Sequence, residues 1–488
     1  MKTRTNAARV LLTALLAAAS AAPAQETPGR PEDIRVPPLK WTLKRPPSRR
    51  LENGVTVCRV EDATATLVEA TLLLRGGGAY DPAGKRGLAT LGMEMLKAGG
   101  CGGMSPERFE EAVDALAGEL TCEARREALE VRLRVLPEQF EEGARLLFAM
   151  VSRPRFEAKR FERRRATLAG RLRRRYESPT RLARRIAVER LHGSGGLGNP
   201  VGGLPGEVEK LSRSDLLAWH RRFFVPARAR LGLVLPARRN EKGGLEPQVD
   251  ASVLVDLLKG WRPAGAGDEE PGDAPPAGTA TRAEKFRVYI APRKGLEQTT
   301  MVVAWKAPIG RRRRSKPIVD VLRYILATRI NLKVRNEAGL AYSAYASLIP
   351  SAETSTFLAY CRTKKESASQ ALSRLLAEIE SVREERPTDD ALRYVREYFI
   401  NSFCHRFGNP YDTLIEWLYH DHYGYARDYL TKYVEAVKAI DADAFMKTAK
   451  ECVPDKGFVV ALVGEEAACR AAAEVIEEAK IEVIGDAR

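Results

Sequence analysis

Histidine, paired cysteines and long apolar runs are scarce in this 488-residue chain. It has five histidines in total. The cysteines show no C-x-x-C spacing, and they are not dense enough for a small disulfide-bonded scaffold. Their odd number leaves at least one thiol unpaired within the monomer, and the sequence assigns no connectivity. The seven positions are Cys58, Cys101, Cys122, Cys361, Cys404, Cys452 and Cys469.

Two common catalytic signatures are also missing. The chain has no serine nucleophile elbow, and its glycine-rich stretch 193–203 lacks the Lys-Ser/Thr of a phosphate-binding loop. His420 and His422 form an H-x-H, but no second ligand cluster accompanies them, so we interpret them as a polar helix end or loop. The isolated histidines are interpreted as structural or surface residues: His192, His220 and His405.

The strongest apolar run lies near the N-terminus. Three cations precede the run 10–19, and Ala22-Pro23-Ala24 has the pattern of a cleavage site. Residues 1–24 therefore predict a Sec-type signal peptide and a periplasmic or secreted protein. The run is too short to span a membrane, and no later stretch approaches 18 uncharged apolar residues, so we expect no membrane span. No cysteine follows the cleavage site, and no Arg-Arg pair precedes the run, which argues against a lipid anchor and the twin-arginine route.

Negative charge is in deficit. The chain carries 80 Lys and Arg against 64 Asp and Glu, a net charge of +16 that becomes +13 without residues 1–24. Such a balance is compatible with an acidic partner, nucleic acid or an anionic membrane. Export argues against nucleic acid. We interpret the two densest basic runs, 160–175 and 311–314, mainly as solvated faces.

The mature sequence divides into two similar halves. Residues 46–236 contain strand-like runs, several amphipathic helices and a last strand, and residues 284–488 repeat this order, which indicates an internal duplication. Residues 237–283 are rich in proline and glycine and show little periodicity apart from 253–261, so we assign the stretch to a linker. Residues 25–45 predict an extended, proline-rich arm.

Two local signals fix the ends of elements. Asn53-Gly54 lies between short apolar runs and predicts a hairpin turn. Thr388 is predicted to cap a helix that runs through Phe403.

The motif around residues 81–96 carries the first chemical information. It follows a strand-like run and a glycine turn, and it opens an apolar helix with Gly-Leu-Ala-Thr-Leu-Gly-Met-Glu-Met. This segment resembles the insulinase/pitrilysin family of zinc peptidases, the inverzincins, in which the same place reads roughly Gly-Leu-Ala-His-Phe-Leu-Glu-His-Met. There two histidines bind zinc and the glutamate activates water. Here Thr90 and Glu94 replace the histidines, and Met93 replaces the glutamate.

The third zinc ligand of that family is also replaced. Resembling members supply a glutamate shortly before an Asp/Glu-x-Pro turn, and here the turn is Glu177-Ser178-Pro179 and the ligand position falls at or next to Arg171. A guanidinium does not bind zinc and repels it. The resemblance therefore implies a peptidase fold with no metal in this chain. We interpret Thr90 and Met93 as helix filler, and we hypothesise that Arg171 pairs with Glu94.

A second segment, 334–343, keeps the family pattern more fully. It reads Val-Arg-Asn-Glu-Ala-Gly-Leu-Ala-Tyr-Ser and resembles the family's Arg-Glu-x-x-Gly-Leu-Ala-Tyr-Ser, whose Arg and Tyr face the zinc site across a closed chamber. Arg335 and Tyr342 match this pair, and Asn336 replaces the glutamate beside it. A tyrosine hydroxyl can donate to the oxyanion of peptide hydrolysis, and an arginine can hold the substrate backbone. The alternative is an ordinary helix end followed by a strand tyrosine.

The resemblance covers residues 45–483 and implies an α+β protein. Each half is expected to be an α/β sandwich, a mainly antiparallel sheet packed with helices, and the linker joins the two. Some bacterial enzymes of this family place the zinc motif on one subunit and the Arg/Tyr pair on another. The chain fits the second type, which implies that Arg335 and Tyr342 act in trans on a homologous zinc-bearing subunit that cleaves unstructured peptides.

This subunit would have no cofactor of its own and no activity alone, with zinc expected in the partner. The alternative function is a structural or peptide-binding protein without a catalytic role, like the family's core subunits in respiratory complexes. A retained Arg/Tyr pair favours the first function, because a pure scaffold needs neither residue. Binding to nucleic acid or to an anionic membrane is the third and weakest hypothesis.

Overall fold

The computed structural model describes residues 43–262, 286–310, 316–351, 354–477 and 479–485. The predicted signal peptide 1–24, the arm up to residue 42 and the basic run 311–314 lie outside these residues. At the end of the predicted arm, the Arg45 guanidinium pairs with both carboxylate oxygens of Asp421 at 2.6 Å. No helix in the described ranges is both long enough and apolar enough to cross a membrane.

Strands and helices alternate along both halves. The strands are β1 (Ser48–Arg50), β2 (Thr56–Asp62), β3 (Val68–Arg75), β4 (Glu119–Ala124), β5 (Ala128–Val135), β6 (Ala229–Arg239), β7 (Leu245–Pro247), β8 (Phe286–Pro292), β9 (Gln298–Ala307), β10 (Ser343–Ile349), β11 (Ser355–Lys364), β12 (Phe458–Gly464) and β13 (Lys480–Val483). The helices of the first half are α1 (Leu88–Ala98), α2 (Pro106–Ala115), α3 (Phe140–Ser152), α4 (Ala158–Glu177), α5 (Pro179–His192), α6 (Pro205–Val208), α7 (Arg213–Phe223) and α8 (Ser252–Lys259). Those of the second are α9 (Lys316–Ile330), α10 (Ala368–Glu384), α11 (Asp389–Phe403), α12 (Pro410–Tyr423), α13 (Tyr433–Lys438), α14 (Ala442–Cys452) and α15 (Glu466–Ala473).

The two sheets share one topology. The first has the strand order β1-β2-β6-β3-β5-β4, with β7 paired to β6, and the second has the order β10-β11-β9-β12-β8-β13. The run β2-β6-β3-β5-β4 therefore corresponds to β8-β12-β9-β11-β10. In both runs the first pair is parallel and the following pairs are antiparallel. This repeat confirms the predicted α+β fold of two homologous, mainly antiparallel halves.

One face of each sheet packs on helices of its own half. In the first half, alternate residues of β3 such as Leu72 and Leu74 are buried with Leu91 of α1 and Leu147 of α3. In the second half, Trp305 of β9 is buried in the core that α9, α10 and α14 complete. Each fully buried Leu contributes about 1.5–3 kcal/mol relative to its exposed state, so these faces stabilise both sheets.

The opposite face of each sheet is covered by a helix of the other half. Helix α5 of the first half buries Leu182 and Ile186 against β9, β11 and β12 of the second sheet. In return, α12 of the second half buries Leu414 and Leu418 against Cys58 of β2 and its neighbours on β3 and β6. This exchange of helices joins the two halves through apolar packing.

The end of the first half differs from the prediction. Residues 237–262 were assigned to the linker 237–283, but β6 continues to Arg239, β7 pairs with it, and α8 buries Leu254 and Leu258 in the first core. The ordered part of this stretch thus belongs to the first half. The periodic run 253–261 is the part of the predicted linker that forms most of α8. Residues 263–285 lie outside the described residues.

Candidate functional site

The N-terminus of α1 is held by a buried carboxylate. Gly87 precedes the helix with φ of 108°, and the Asp81 carboxylate accepts from the N–H groups of Gly87 at 2.8 Å and Ala89 at 2.9 Å. The Asn199 amide donates to the carbonyls of Gly78 and Asp81 at 3.1 and 2.9 Å. Burial raises the pKa of Asp81 to about 7, although its backbone N–H donors oppose the rise. Asp81 and Asn199 therefore tie the helix to the glycine-rich loop.

Two of the replaced motif positions on α1 have structural roles. The Thr90 hydroxyl donates to the carbonyl of Val201 at 2.8 Å. Met93 is 1% exposed and packs in the first core. Beside it, a Cβ added to Gly92 would lie 2.4 Å from the Trp219 ring, so α1 and α7 are in tight contact. These contacts agree with the interpretation of Thr90 and Met93 as structural residues of the helix.

The third replaced position faces α4. The Arg171 guanidinium donates to the Glu94 carboxylate, so the hypothesised ion pair is present. The Thr90 hydroxyl is already bonded to a carbonyl, and the Met93 thioether lies in the core. Glu94 and Arg171 provide one carboxylate and one guanidinium. Zinc sites in proteins use three or four imidazole, thiolate or carboxylate ligands. Thr90, Met93, Glu94 and Arg171 therefore do not fit a zinc ion.

The segment that carries Arg335 and Tyr342 has an unusual backbone. Helix α9 continues as a π-helical turn, Asn331–Glu337, which buries Val334. The Leu340 N–H donates to the Val334 carbonyl at 3.1 Å, and Gly339 has φ of 62°, a left-handed conformation that glycine adopts without strain. Turns of π type often occur at functional sites. The chain then enters the edge strand β10.

Both side chains of the predicted pair face solvent. Tyr342 is 52% exposed although it is a large aromatic residue, and Arg335 is exposed on the last part of the π-helical turn. The Tyr342 backbone is fixed, since its N–H donates to the Arg362 carbonyl at 3.0 Å. Within the described residues, neither side chain takes part in a hydrogen bond or ion pair. A fixed backbone with exposed side chains suits contact with a second molecule.

Four of the five histidines are buried, and His405 is exposed. His420 and His422 lie on the last turn of α12, as predicted for a helix end, but both rings are buried. His420 Nδ1 is 2.6 Å from the Glu416 carbonyl, and His422 Nε2 is 3.1 Å from the Glu127 carbonyl. His192 and His220 are buried, and His405 is exposed. Across the described ranges, no group of three or more His, Cys, Asp or Glu is arranged to hold a metal ion.

The sequence reasoning missed one site. A cleft of about 360 Å³ lies at the junction of α4 and α5, and five arginines line it. The basic run 160–175 was interpreted as a solvated face, but Arg175 at its end lines this cleft. The sequence feature that could have predicted the cleft is the spacing of Arg181, Arg184 and Arg185 after the proline that begins α5. This i, i+3, i+4 spacing places the three arginines on one face of the helix.

Two family models match the chain. The model described as insulinase, peptidase family M16, matches residues 56–201, and the model described as the peptidase M16 inactive domain matches residues 210–399. The chain belongs to the M16 insulinase family. The comparison with curated protein sequences gives no match.

Solved structures of M16-like proteins share the fold. The peptidase M16 inactive domain from Pseudomonas fluorescens aligns with a TM-score of 0.75 and 17% identity over 86% of this chain and 98% of that chain. A chain of Complex III2 from Candida albicans aligns with a TM-score of 0.68 and 14% identity over 88% of this chain and 99% of that chain. The periplasmic protease PqqL from Escherichia coli aligns with a TM-score of 0.68 and 13% identity over 88% of this chain and 46% of that chain. At such identities the likeness concerns the fold alone.

Proposed function

We propose that this M16 chain is the zinc-less subunit of an exported, heterodimeric zinc metallopeptidase. It binds a homologous zinc-bearing subunit and supplies Arg335 and Tyr342 to the partner's active site for the hydrolysis of unstructured peptides. The observation that carries the proposal is the contrast between the two motif segments. In the first, the polar groups of Thr90 and Glu94 are bonded to other residues of the chain, whereas in the second, Arg335 and Tyr342 are exposed on a fixed backbone.

The chemistry of the exposed pair suits a peptidase. A zinc ion in the partner would supply the activated water. Tyr342 is 52% exposed. Its hydroxyl donates a hydrogen bond to the oxyanion that forms on the scissile carbonyl. Arg335 is permanently charged and presents a planar set of donors, so it holds the carbonyl groups of the substrate backbone near Tyr342. Neither group activates water, so this chain needs the partner.

The proposed location is the periplasm or the exterior. The predicted signal peptide 1–24 supports it. One solved structure of similar fold, PqqL, is named as a periplasmic protease.

A structural or peptide-binding protein is the second candidate function. The similarity to a chain of Complex III2 from Candida albicans supports it, since the same fold is found in a chain of that complex. If this alternative is correct, Tyr342 has no catalytic role, and removal of its hydroxyl leaves the peptidase activity of the mixed subunits unchanged.

The test is a peptidase assay on an unstructured peptide. This chain, a zinc-bearing M16 candidate partner, and their mixture are each measured with and without a chelator. We expect chelator-sensitive hydrolysis only in the mixture. A partner that is fully active alone and unchanged by mixing would favour the structural or peptide-binding function.

A further inference from the structure

The arginine cleft is formed where two helices, a turn, a loop and the end of β10 meet. Helix α4 ends at Glu177 and α5 begins at Pro179, so the last turn of one helix and the first turns of the next line the same cavity. The turn between β4 and β5 and the loop 198–202 close it. Its charged lining residues are Arg126, Arg175, Arg181, Arg184 and Arg185.

Two of these arginines build the wall of the cleft. Arg126 donates to the carbonyls of Leu197 and Asn199 at 2.7 and 3.3 Å, which fixes the glycine-rich loop. The Arg185 guanidinium lies over the ring of Tyr176, 4.5 Å from its centroid. Burial is the main cause that lowers the pKa of Arg185; Glu189 and Tyr176 oppose this shift, whereas the cations Arg86 and Arg293 add to it. A negative charge placed in the cleft would stabilise the buried guanidinium of Arg185.

The other three arginines are open to a ligand. Arg175, Arg181 and Arg184 are exposed, and no carboxylate of the described residues forms an ion pair with them. The nearby Glu189 pairs with Arg86 at 2.6 Å and is not among the residues that line the cleft. The lining thus contains five cations and no carboxylate. Guanidinium groups bind carboxylates with two parallel hydrogen bonds, so the cleft is suited to anionic oxygen ligands.

The position of the cleft indicates which anion it receives. Ile349, the last residue of β10, lines it, and Tyr342 directly precedes the first residue of the same strand. β10 is an edge strand of its sheet and spans seven residues, so the two features lie about 20 Å apart at ~3.3 Å per residue. An edge strand can pair with an extended peptide. A peptide along β10 would therefore reach both Tyr342 and the arginine cleft.

We propose that the arginine cleft binds side-chain carboxylates of an acidic, extended peptide segment. The inference names the substrate class of the proposed peptidase and rests on that function. An acidic segment in the cleft places a neighbouring part of the same peptide beside Tyr342. Binding to the cleft requires only this chain, so it can be measured without the partner and without catalysis.

The experiment uses the purified chain and fluorescence anisotropy. The probes are a labelled peptide with a run of glutamates and a matched peptide with glutamines. The test variant is Arg181→Ala with Arg184→Ala, and the control is Arg163→Ala with Arg174→Ala, two exposed arginines of α4 outside the cleft. Both double variants remove the same charge, and all four side chains are exposed, so thermal unfolding should show that both remain folded.

The glutamate peptide should bind more tightly than the glutamine peptide, and its affinity should fall as salt rises. Loss of charge-assisted hydrogen bonds in the Arg181/Arg184 variant should weaken glutamate-peptide binding about tenfold or more, against less than about twofold in the control. Equal weakening in both variants would overturn the proposal, because it would indicate a diffuse positive surface. Saturation by inorganic phosphate, with no binding of the glutamate peptide, would overturn it as well.

Failure of the cleft proposal can be distinguished from failure of the proposed catalytic function. Tyr342→Phe should leave binding of the glutamate peptide unchanged, since the phenol lies at the other end of β10. If the glutamate peptide fails to bind while the mixed subunits hydrolyse peptide, the cleft assignment is wrong and the catalytic proposal stands.

Discussion

Arg171 on α4 forms an ion pair with Glu94 on α1. By sequence resemblance Glu94 replaces a metal-binding histidine of the zinc peptidases of this family, and Arg171 lies at or next to the position of their third ligand; here the two residues neutralise one another. The ion pair connects α1 and α4 directly.

The Glu94–Arg171 pair should contribute little to stability. Half of the Arg171 side chain is exposed, and exposed ion pairs contribute about 0–1 kcal/mol. We expect Arg171→Ala and Glu94→Gln each to lower the free energy of unfolding in urea by less than about 1 kcal/mol. We also expect the peptidase activity of the mixed subunits to be unchanged in both. A loss of activity as large as that of the Tyr342 variant would contradict a purely structural role.

Tyr342 should be the most sensitive position for catalysis. Removal of one oxyanion donor lowers kcat by about 10²–10³-fold in enzymes that use such a group. We expect a decrease of this order in the mixed subunits carrying Tyr342→Phe, with subunit association unchanged in analytical ultracentrifugation. The control is Tyr345→Phe. Tyr345 is a 42%-exposed tyrosine on β10, which begins directly after Tyr342, and its ring contacts Tyr360. Equal kcat values for the two variants would count against the catalytic role.

The sequence predicted the features that depend on near neighbours. The hairpin of β1 and β2 follows from the Asn53-Gly54 turn, and the observed pairing includes Arg50 with Thr56. The Thr388 side chain caps α11 by accepting from the Ala391 N–H at 3.2 Å. Each of these signals lies within a few residues of its effect, so a local pattern was sufficient. The family resemblance then supplied the arrangement of the halves.

Features that depend on distant residues were not predicted. The apolar face of α12 covers the first sheet, which is far away in the sequence, and the chain order gives no sign of this exchange. His422 is buried because its Nε2 meets the carbonyl of Glu127 in the first half. The arginine cleft likewise combines residues of two helices, a hairpin turn and a loop. Periodicity reveals which face of an element is apolar but not which surface it meets.

The exchanged helices should be essential for stability. Leu182 on α5 is fully buried between α5 and the second sheet, and Leu→Ala at such sites costs about 2–5 kcal/mol. We expect Leu182→Ala to lower the unfolding free energy by this amount in urea denaturation. Leu136→Ala is the matched control, because Leu136 is 41% exposed. Similar losses for the two variants would show that α5 contributes little to joining the halves.

Acid should destabilise the fold through its buried histidines. Burial lowers the pKa of His220 from 6.5 to about 4 and that of His192 to about 3. The unfolded chain therefore takes up protons first as the pH falls below about 6.5, so this contribution to stability is lost between about pH 6.5 and pH 4 for His220. Asp81 acts in the opposite direction, because its raised pKa favours the protonated native state over part of the same range.

A variant separates these opposing contributions. His220→Gln keeps a donor that can reach the Val151 carbonyl, which lies 2.8 Å from Nε2 in the native protein, but it does not titrate. We expect the unfolding free energy of His220→Gln to fall less than that of the native chain between pH 7 and pH 4, by roughly 3 kcal/mol at most. His405→Gln, at an exposed histidine, should keep the native pH dependence. Parallel curves for the native chain and His220→Gln would show that His220 is not held neutral by its burial.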